Sequence, residues 1–334
     1  MLTRRSLCRS LGWGGVAALT GIRPFAAGAP AAAGAAPAAA GTALSMQAAW
    51  VNDAEFMGYF VGIQNGLYKA ENIDLTYLSG GPDVIPESAL LAGKAPLALT
   101  SPDTTIRAIA SQGAKFKIIG AQFQKNPIGV VSLASNPIKN VKALEGKVLA
   151  VPPVNLTGVM GMLKVNGIAK SSVRIVPYQF DPTPLIKGEI DASVDFVTDV
   201  PYTIGLAGKQ AVSFLLYDNG VPQFGDVVTV TEAFLAANRP LLVRWLKASR
   251  AAWAENFKDP KKYPALFKDS WLKGTGRATE NDIFTNTADK PLMEAPDGIF
   301  SMSEAGIAAN VAYLKSVGIA ADRSMFDTTL LAGL

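Results

Sequence analysis

Histidine is absent from all 334 residues. That excludes Ser-His-Asp and Cys-His nucleophiles, His-bearing zinc sites and imidazole general bases. Cysteine occurs once, as Cys8, so neither an internal disulfide, a CxxC redox pair nor a thiolate metal site can form within the chain. Acidic residues are missing from the first 43 positions, which hold Arg4, Arg5, Arg9 and Arg23. The formal charge of +4 therefore belongs to this segment, and the remaining 27 bases balance 27 acids. A neutral body offers no basic patch for nucleic acid or anionic lipid.

The composition, 49% hydrophobic and 17% charged, is that of a folded protein, and the length suits two domains. At the start, Arg4 and Arg5 precede an uncharged stretch from Ser10 to Ile22. Residues 26–43 follow as a run of Ala, Gly, Pro and a single Thr. Basic head, apolar core and small residues offering a site such as Ala27-Gly28-Ala29 read as an export signal over 1–29, with an Ala/Gly/Pro linker over 30–43. Thr3-Arg4-Arg5-Ser6-Leu7 resembles the bacterial twin-arginine signal, and an ordinary secretory signal is the alternative. Both lead to the periplasm. The Pro and Gly content of 24–52 argues against a membrane-spanning helix.

From Leu44 onward short apolar runs alternate with helical periodicity, the α/β pattern. Strands are predicted at 45–49, 73–78, 95–100, 116–123, 129–134, 148–151, 173–177, 192–197, 213–217 and 226–230. After Glu232 come helices at 239–256, 261–271 and 303–316. Ala89 to Lys94 before one strand and Pro184 to Glu189 before another both read helix, Gly cap, strand. Two such lobes can present the carboxyl ends of their strands to a shared cleft, where open sheets bind ligands.

Asn52 followed by Glu55 forms a possible capping box ahead of a helix whose Phe56, Phe60 and Ile63 share a core-facing side, with Gly66 ending it. Trp50, just before the cap, is a candidate stacking platform. Gly80-Gly81-Pro82-Asp83 reads as a tight turn rather than a phosphate cradle, since no G-x-G-x-x-G or P-loop lysine accompanies it, and Asp83 is a candidate cap for the next helix.

The run Trp50 to Tyr68, the Gly80 to Asp83 turn, Phe123 to Pro127, Lys142 to Gly146 and Phe196 to Pro201 resemble the substrate-binding proteins of bacterial ABC importers. The group is the one related to pyrimidine precursor (thiamine biosynthesis), nitrate, sulfonate and taurine binders, and the likeness spans 46–319. It implies a type II periplasmic binding fold: two α/β lobes joined by two hinge strands, with the ligand cleft between them. The lobes would be 44–125 with 230–334, and 126–229, with hinges near Phe123 to Pro127 and Phe224 to Val230. It also implies a non-catalytic monomer without cofactor that delivers its solute to a permease and ATPase complex in the inner membrane.

Carried over residue by residue, the family's pocket gives Trp50, Asn52, Glu55, Tyr59, Ser101, Asp103, Phe123, Gln124, Asn155, Thr157, Thr198, Asp199 and Asp226. Asp53 and Asp181 read as caps or surface charges, whereas Asp103, Asp199 and Asp226 remain open between solvated charge and ligand contact. Val200 is apolar where the pyrimidine binders often carry an acid. Aromatic faces, acids and amides with scarcely a base besides Lys125 favour a nitrogenous heterocycle such as an aminopyrimidine. Nitrate, sulfonate or riboflavin binding are alternatives, as are an exported enzyme or a ligand-sensing subunit on the same fold. The fungal enzymes of the family depend on a histidine that this chain lacks.

Overall fold

A computed structural model describes residues 41–334. The export signal, its twin-arginine character, Cys8 and the linker up to residue 40 lie outside the described residues.

The first half of the chain builds β1 (Thr42–Gln47), α1 (Met57–Gln64), α2 (Leu67–Ala70), β2 (Ile73–Leu78), α3 (Pro86–Leu91), β3 (Leu97–Thr100), α4 (Pro102–Gln112) and β4 (Phe116–Phe123). There follow β5 (Ile128–Leu133), β6 (Val148–Val151), α5 (Leu156–Val165), β7 (Arg174–Pro177), α6 (Thr183–Lys187), β8 (Ala192–Phe196), α7 (Val200–Leu206) and β9 (Ala211–Leu215). The chain then returns through β10 (Gly225–Thr231) and closes with α8 (Glu232–Lys258), α9 (Lys262–Phe267), α10 (Thr279–Met293) and α11 (Glu304–Ser316). Thr42 and Ala43, expected as the end of a linker, already belong to β1, whose register with β2 starts at Thr42 opposite Ile73.

Two five-stranded sheets result, ordered β2-β1-β3-β10-β4 and β7-β6-β8-β5-β9. They are the same design twice. In each, four strands run in one direction and one strand received from the other half inserts antiparallel: β10 between β3 and β4, β5 between β8 and β9. The repeated helix, Gly, strand unit is part of this symmetry. Gly93 and Gly188 both adopt the left-handed conformation that closes a helix, at φ 66° and 77°, ahead of β3 and β8. Because β10 starts at Gly225 within the first sheet, residues 225–229, placed by sequence in the second lobe, lie in the first sheet.

The chain passes between sheets at 124–127 and at 216–224. α8 packs on α1 over the first sheet, around Trp245, Trp253, Phe56 and Phe60. α11 crosses to the second: its Ile307, Tyr313 and Leu314 share a core with Val159 and Met162 of α5, which extends under the first sheet through Ile118, Ala121 and Val227. β4 is an edge strand, yet it is almost wholly buried, because Ala121 bonds to Phe300 and Ile118 to Asp327 of the C-terminal segment. Within α8, Asn238 leaves helical geometry one residue before Arg239, so the helix expected from Arg239 does begin there, with Pro240 in its first turn. Among the described residues, no helix is long and apolar enough to cross a membrane.

Candidate functional site

The carboxyl ends of both sheets converge on one compartment. From β1 the chain bends through Trp50 into a 3-10 turn, Ala54–Phe56, that leads into α1. Asp53, not Asn52, caps this turn, accepting from the Glu55 backbone N–H at 2.9 Å. Asn52 is otherwise engaged: its amide donates to the Trp271 carbonyl at 2.9 Å. That tie holds Trp271 where its ring stacks on Phe60 (4.9 Å, 6°), and α9 ends at Phe267, short of the expected Trp271. Glu55 likewise does not close a capping box. It is buried, and its carboxyl meets that of Asp226.

Asp226 stands at the start of β10 with φ 44°, a conformation costly for a residue with a side chain. Facing it on β4 is Gln122, fully buried, whose amide donates to Asp226 Oδ2 at 3.1 Å and to the Glu55 carbonyl at 2.9 Å. Its oxygen accepts from the Tyr59 hydroxyl at 2.7 Å. Tyr59 therefore serves the site through Gln122, while its ring is committed to the core, stacked on Trp245 at 6.1 Å. Phe123 is also buried, edge-on to Phe196. Gln124 is spent on the Ala121 and Ser301 carbonyls.

From the second sheet, the loop after β8 brings Thr198 and Asp199. Asp199 receives both terminal nitrogens of Arg277, at 2.9 and 2.8 Å, and the Arg277 Nε donates to Asp282 at 3.1 Å. α10, which carries Asp282 and Asp289, thus lies against the turn after β1 and against α7. Asp289 is fully buried and neither carboxyl oxygen has a partner; the Thr198 hydroxyl that faces it is also unpaired. The Tyr77 hydroxyl, close enough to Asp53, Glu55 and Asp226 to feel their charge, is a third buried orphan. The loop after β7 contributes Phe180, at φ 60°, whose ring lies 5.1 Å from that of Trp50. Trp50 itself leans on the first core, half-buried. Gly80 makes this bend possible: a Cβ there would come within 2.5 Å of the Ala48 oxygen and the Trp50 nitrogen.

Electrostatically the compartment is short of cations. Burial drives the Asp53 carboxyl up to about 7, against the pull of Arg277. Burial and the adjacent Asp226 push Glu55 well above the carboxylate range, and burial raises Asp226 and Asp289 in the same direction. Burial works to lower Arg277, but the hydrogen bonds of Asp199 and the charges of Asp53, Asp199 and Asp282 outweigh it and raise its pKa. Among the described residues no group of three or more acids, Cys or His is arranged to hold a metal ion. The carboxyl, amide and hydroxyl oxygens gathered here are acceptors, chemically suited to N–H donors rather than to anions.

The remaining sequence candidates lie outside this hydrogen-bonded cluster. Ser101 is exposed and makes no side-chain cap bond to α4. Asp103, in the first turn of α4, is raised by burial, and its charge acts on the unpaired hydroxyl of Tyr313. Asn155 and Thr157, half-buried at the start of α5, form no capping bond either. Lys125 points away, paired with Asp218 at 2.8 Å. Asp181 accepts from the Thr183 N–H just ahead of α6, whose cap position is Pro182, and Asp83 is likewise not the cap of α3, where Ile85 occupies that position.

Five members of this constellation escape a reading of the sequence: Tyr77, Gln122, Phe180, Arg277 and Asp289. A lone Gln in the apolar run Phe116 to Phe123 is the signal for Gln122. For α10 it is Asp282, Thr285, Asn286 and Asp289, a buried face that repeats at helical spacing but is polar.

Two mixed sheets of equal strand order, facing each other through their carboxyl ends, define the two-lobe periplasmic binding-protein fold, with helices against both sheets. The family model described as NMT1/THI5 like matches residues 53–263, and the chain belongs to that family. It is similar to the riboflavin-binding protein RibY of Chloroflexus aurantiacus, 20% identical over 222 residues, 65% of this chain and 63% of that protein. The chain thus spans less than two thirds of this relative's length. Among solved structures, the periplasmic aliphatic sulphonate binding protein SsuA of Escherichia coli superimposes with a TM-score of 0.64 at 15% identity, covering 82% of this chain and 91% of that one. The desulfurization enzyme DSZB aligns with a TM-score of 0.56 at 12% identity, over 87% of this chain and 98% of its own. The fold thus carries both binding proteins and an enzyme.

Proposed function

We propose that the protein is an extracytoplasmic solute-binding protein. It captures a small nitrogenous heterocycle rich in N–H groups, an aminopyrimidine being the type case, and hands it to an ABC transporter permease. The observation that carries this is the buried compartment of Asp53, Glu55, Gln122, Asp226 and Asp289, where one guanidinium is already spent on two of the surrounding acids. A sulfonate or nitrate would meet carboxylates without a free positive partner, so the anion reading is disfavoured. Trp50 supplies a flat face at the entrance, with Asn52, Tyr59, Phe123 and Gln124 behind it in supporting positions. Ser101, Asp103, Asn155 and Thr157 complete the rim, and Thr198, Asp199 and Asp226 the interior.

Capture is a population shift. A solute that touches both lobes favours the arrangement in which they meet, and the chain crossings at 124–127 and 216–224 absorb the rotation. Export to the periplasm, by the twin-arginine route, and a monomeric state belong to the same reading. Nothing in capture and release requires a bond to break. A riboflavin-type ligand is the second reading, favoured by the similarity to RibY, since a flavin also presents ring N–H and a flat face. Calorimetric titration with an aminopyrimidine, riboflavin and an alkanesulfonate separates the three: tight binding of the first supports the proposal, of the second the alternative, and of the third alone overturns both.

A further inference from the structure

Asp289 is the acid of this cluster with the least support from the protein: the Thr198 hydroxyl approaches closely enough to favour its charge, but without a hydrogen bond of ordinary geometry. It projects from α10 and is fully buried, and neither of its oxygens has a hydrogen-bond partner. Beside it stands a further buried polar group without a partner, the hydroxyl of Thr198, 3% exposed. Buried carboxylates without a partner are costly, and two such groups brought together from α10 and the loop after β8 are not a packing requirement. Arg277 is saturated by Asp199 and Asp282. Asp53, Glu55, Asp226 and Asp289 are left without a hydrogen-bonded cation, in a compartment that does not gather them tightly enough for a metal ion.

We infer that Asp289 is a ligand-binding residue, the counter-ion of a solute that is held as an amidinium-like cation. The inference rests on the reading of this compartment as a solute site and goes further by fixing the charge of the solute. Planar N–C–N groups match the geometry: one N–H pair addresses the two free oxygens of Asp289, a bidentate pairing that a single ammonium cannot make. The Thr198 hydroxyl is placed to accept or donate beside it. The groups that face Asp289 are Thr198 and Asp199 from the loop after β8, Asp53 from the turn after β1 and Asp226 from β10. Burial favours the uncharged form of Asp289 and its acidic neighbours in the empty protein, so a cation that enters must displace protons. Binding then strengthens as pH rises, until the solute itself loses its charge.

Four flat probes of similar size test this by isothermal calorimetry: benzamidine, benzamide, benzenesulfonate and 4-amino-2-methylpyrimidine. In the wild-type protein benzamidine is expected to bind at least tenfold more tightly than benzamide, with proton release read from buffers of different ionisation enthalpy. In Asp289→Asn the benzamidine advantage and the proton release are lost, and melting temperature reports that the variant is folded. Should that variant not fold, the wild-type comparison decides alone: equal affinity for benzamidine and benzamide overturns the inference. Binding of the aminopyrimidine that is unchanged by Asp289→Asn also overturns it, while leaving the proposed function standing. Binding of benzenesulfonate alone, or of none of the four, overturns both.

Discussion

Arg277, in the loop before α10, grips Asp199, in the loop after β8, with both terminal nitrogens at 2.9 and 2.8 Å. One residue thereby ties the helical layer over the first sheet to the end of a strand in the second. The pair is mostly shielded, with side-chain exposures of 17% and 24%, and Arg277 also compensates Asp282. Arg277→Met leaves an acidic compartment without its guanidinium. Discounted for partial exposure, the loss is expected at about 2 to 4 kcal/mol of unfolding free energy at pH 8. Urea denaturation checks this, and the loss should shrink at pH 5, below the value of about 7 at which the buried Asp53 takes up its proton.

The pH dependence of the empty protein has a definite sign. Asp53 has its carboxyl raised from an ordinary 3.8 to about 7, chiefly by burial, and Asp195 in the second sheet is raised to about 6 by the same cause. For acids raised in the folded state, the stabilisation is fully present below the unfolded value near 4 and is lost as pH rises through the folded value. The melting temperature of the empty protein should fall between about pH 5 and pH 8, and Asp53→Asn should flatten that slope. A melting temperature that rises over this range would contradict the burial of these carboxyls.

Gln122 holds three partners at once, the Tyr59 hydroxyl, the Glu55 carbonyl and the Asp226 carboxyl. Gln122→Leu leaves these groups unsatisfied in a buried site, at about 1 to 3 kcal/mol for each group that finds no substitute. Both stability and ligand affinity should drop. Differential scanning calorimetry and titration of the same sample separate the two effects, and an unchanged affinity would place the ligand away from Asp226.

Trp50 and Phe180 meet at 5.1 Å across the entrance, one from each sheet's carboxyl end. Trp50→Ala is expected to lose most ligand affinity and little stability, since the residue is half-buried at the margin of the first core. Phe180→Ala should weaken binding less, by about tenfold or under, corresponding to roughly 0.5 to 1.5 kcal/mol for an aromatic contact. Ligand titration with thermal melting distinguishes the two roles. Full affinity in Trp50→Ala would remove this tryptophan from the site.

Much of this architecture is written in local pattern. β2, β4 and β6 fall where apolar runs bounded by turn residues place them, and the two helix, Gly, strand units mark the two sheets. What hydrophobic periodicity cannot reveal is an element whose buried face is polar. α10 turns Asp282, Thr285, Asn286 and Asp289 inward, so Arg277 and Asp289 stay hidden until the fold brings that helix to the strand ends. Tyr59 shows the reverse limit: the sequence puts it beside the pocket, but only the packing against Trp245 and the bond to Gln122 show that its ring is core. Asn52 is not the cap its spacing suggests because a distant carbonyl, that of Trp271, claims it, and Asp53, read as a cap or a surface charge, caps the turn instead.

Native mass spectrometry of the protein, purified without refolding and with any bound molecule released and identified, tests the central claim most directly. We expect one small nitrogenous heterocycle per chain, carrying N–H donors and unchanged by prolonged incubation with the protein. A bound sulfonate or other anion, or steady conversion of the released molecule into a product, would contradict it.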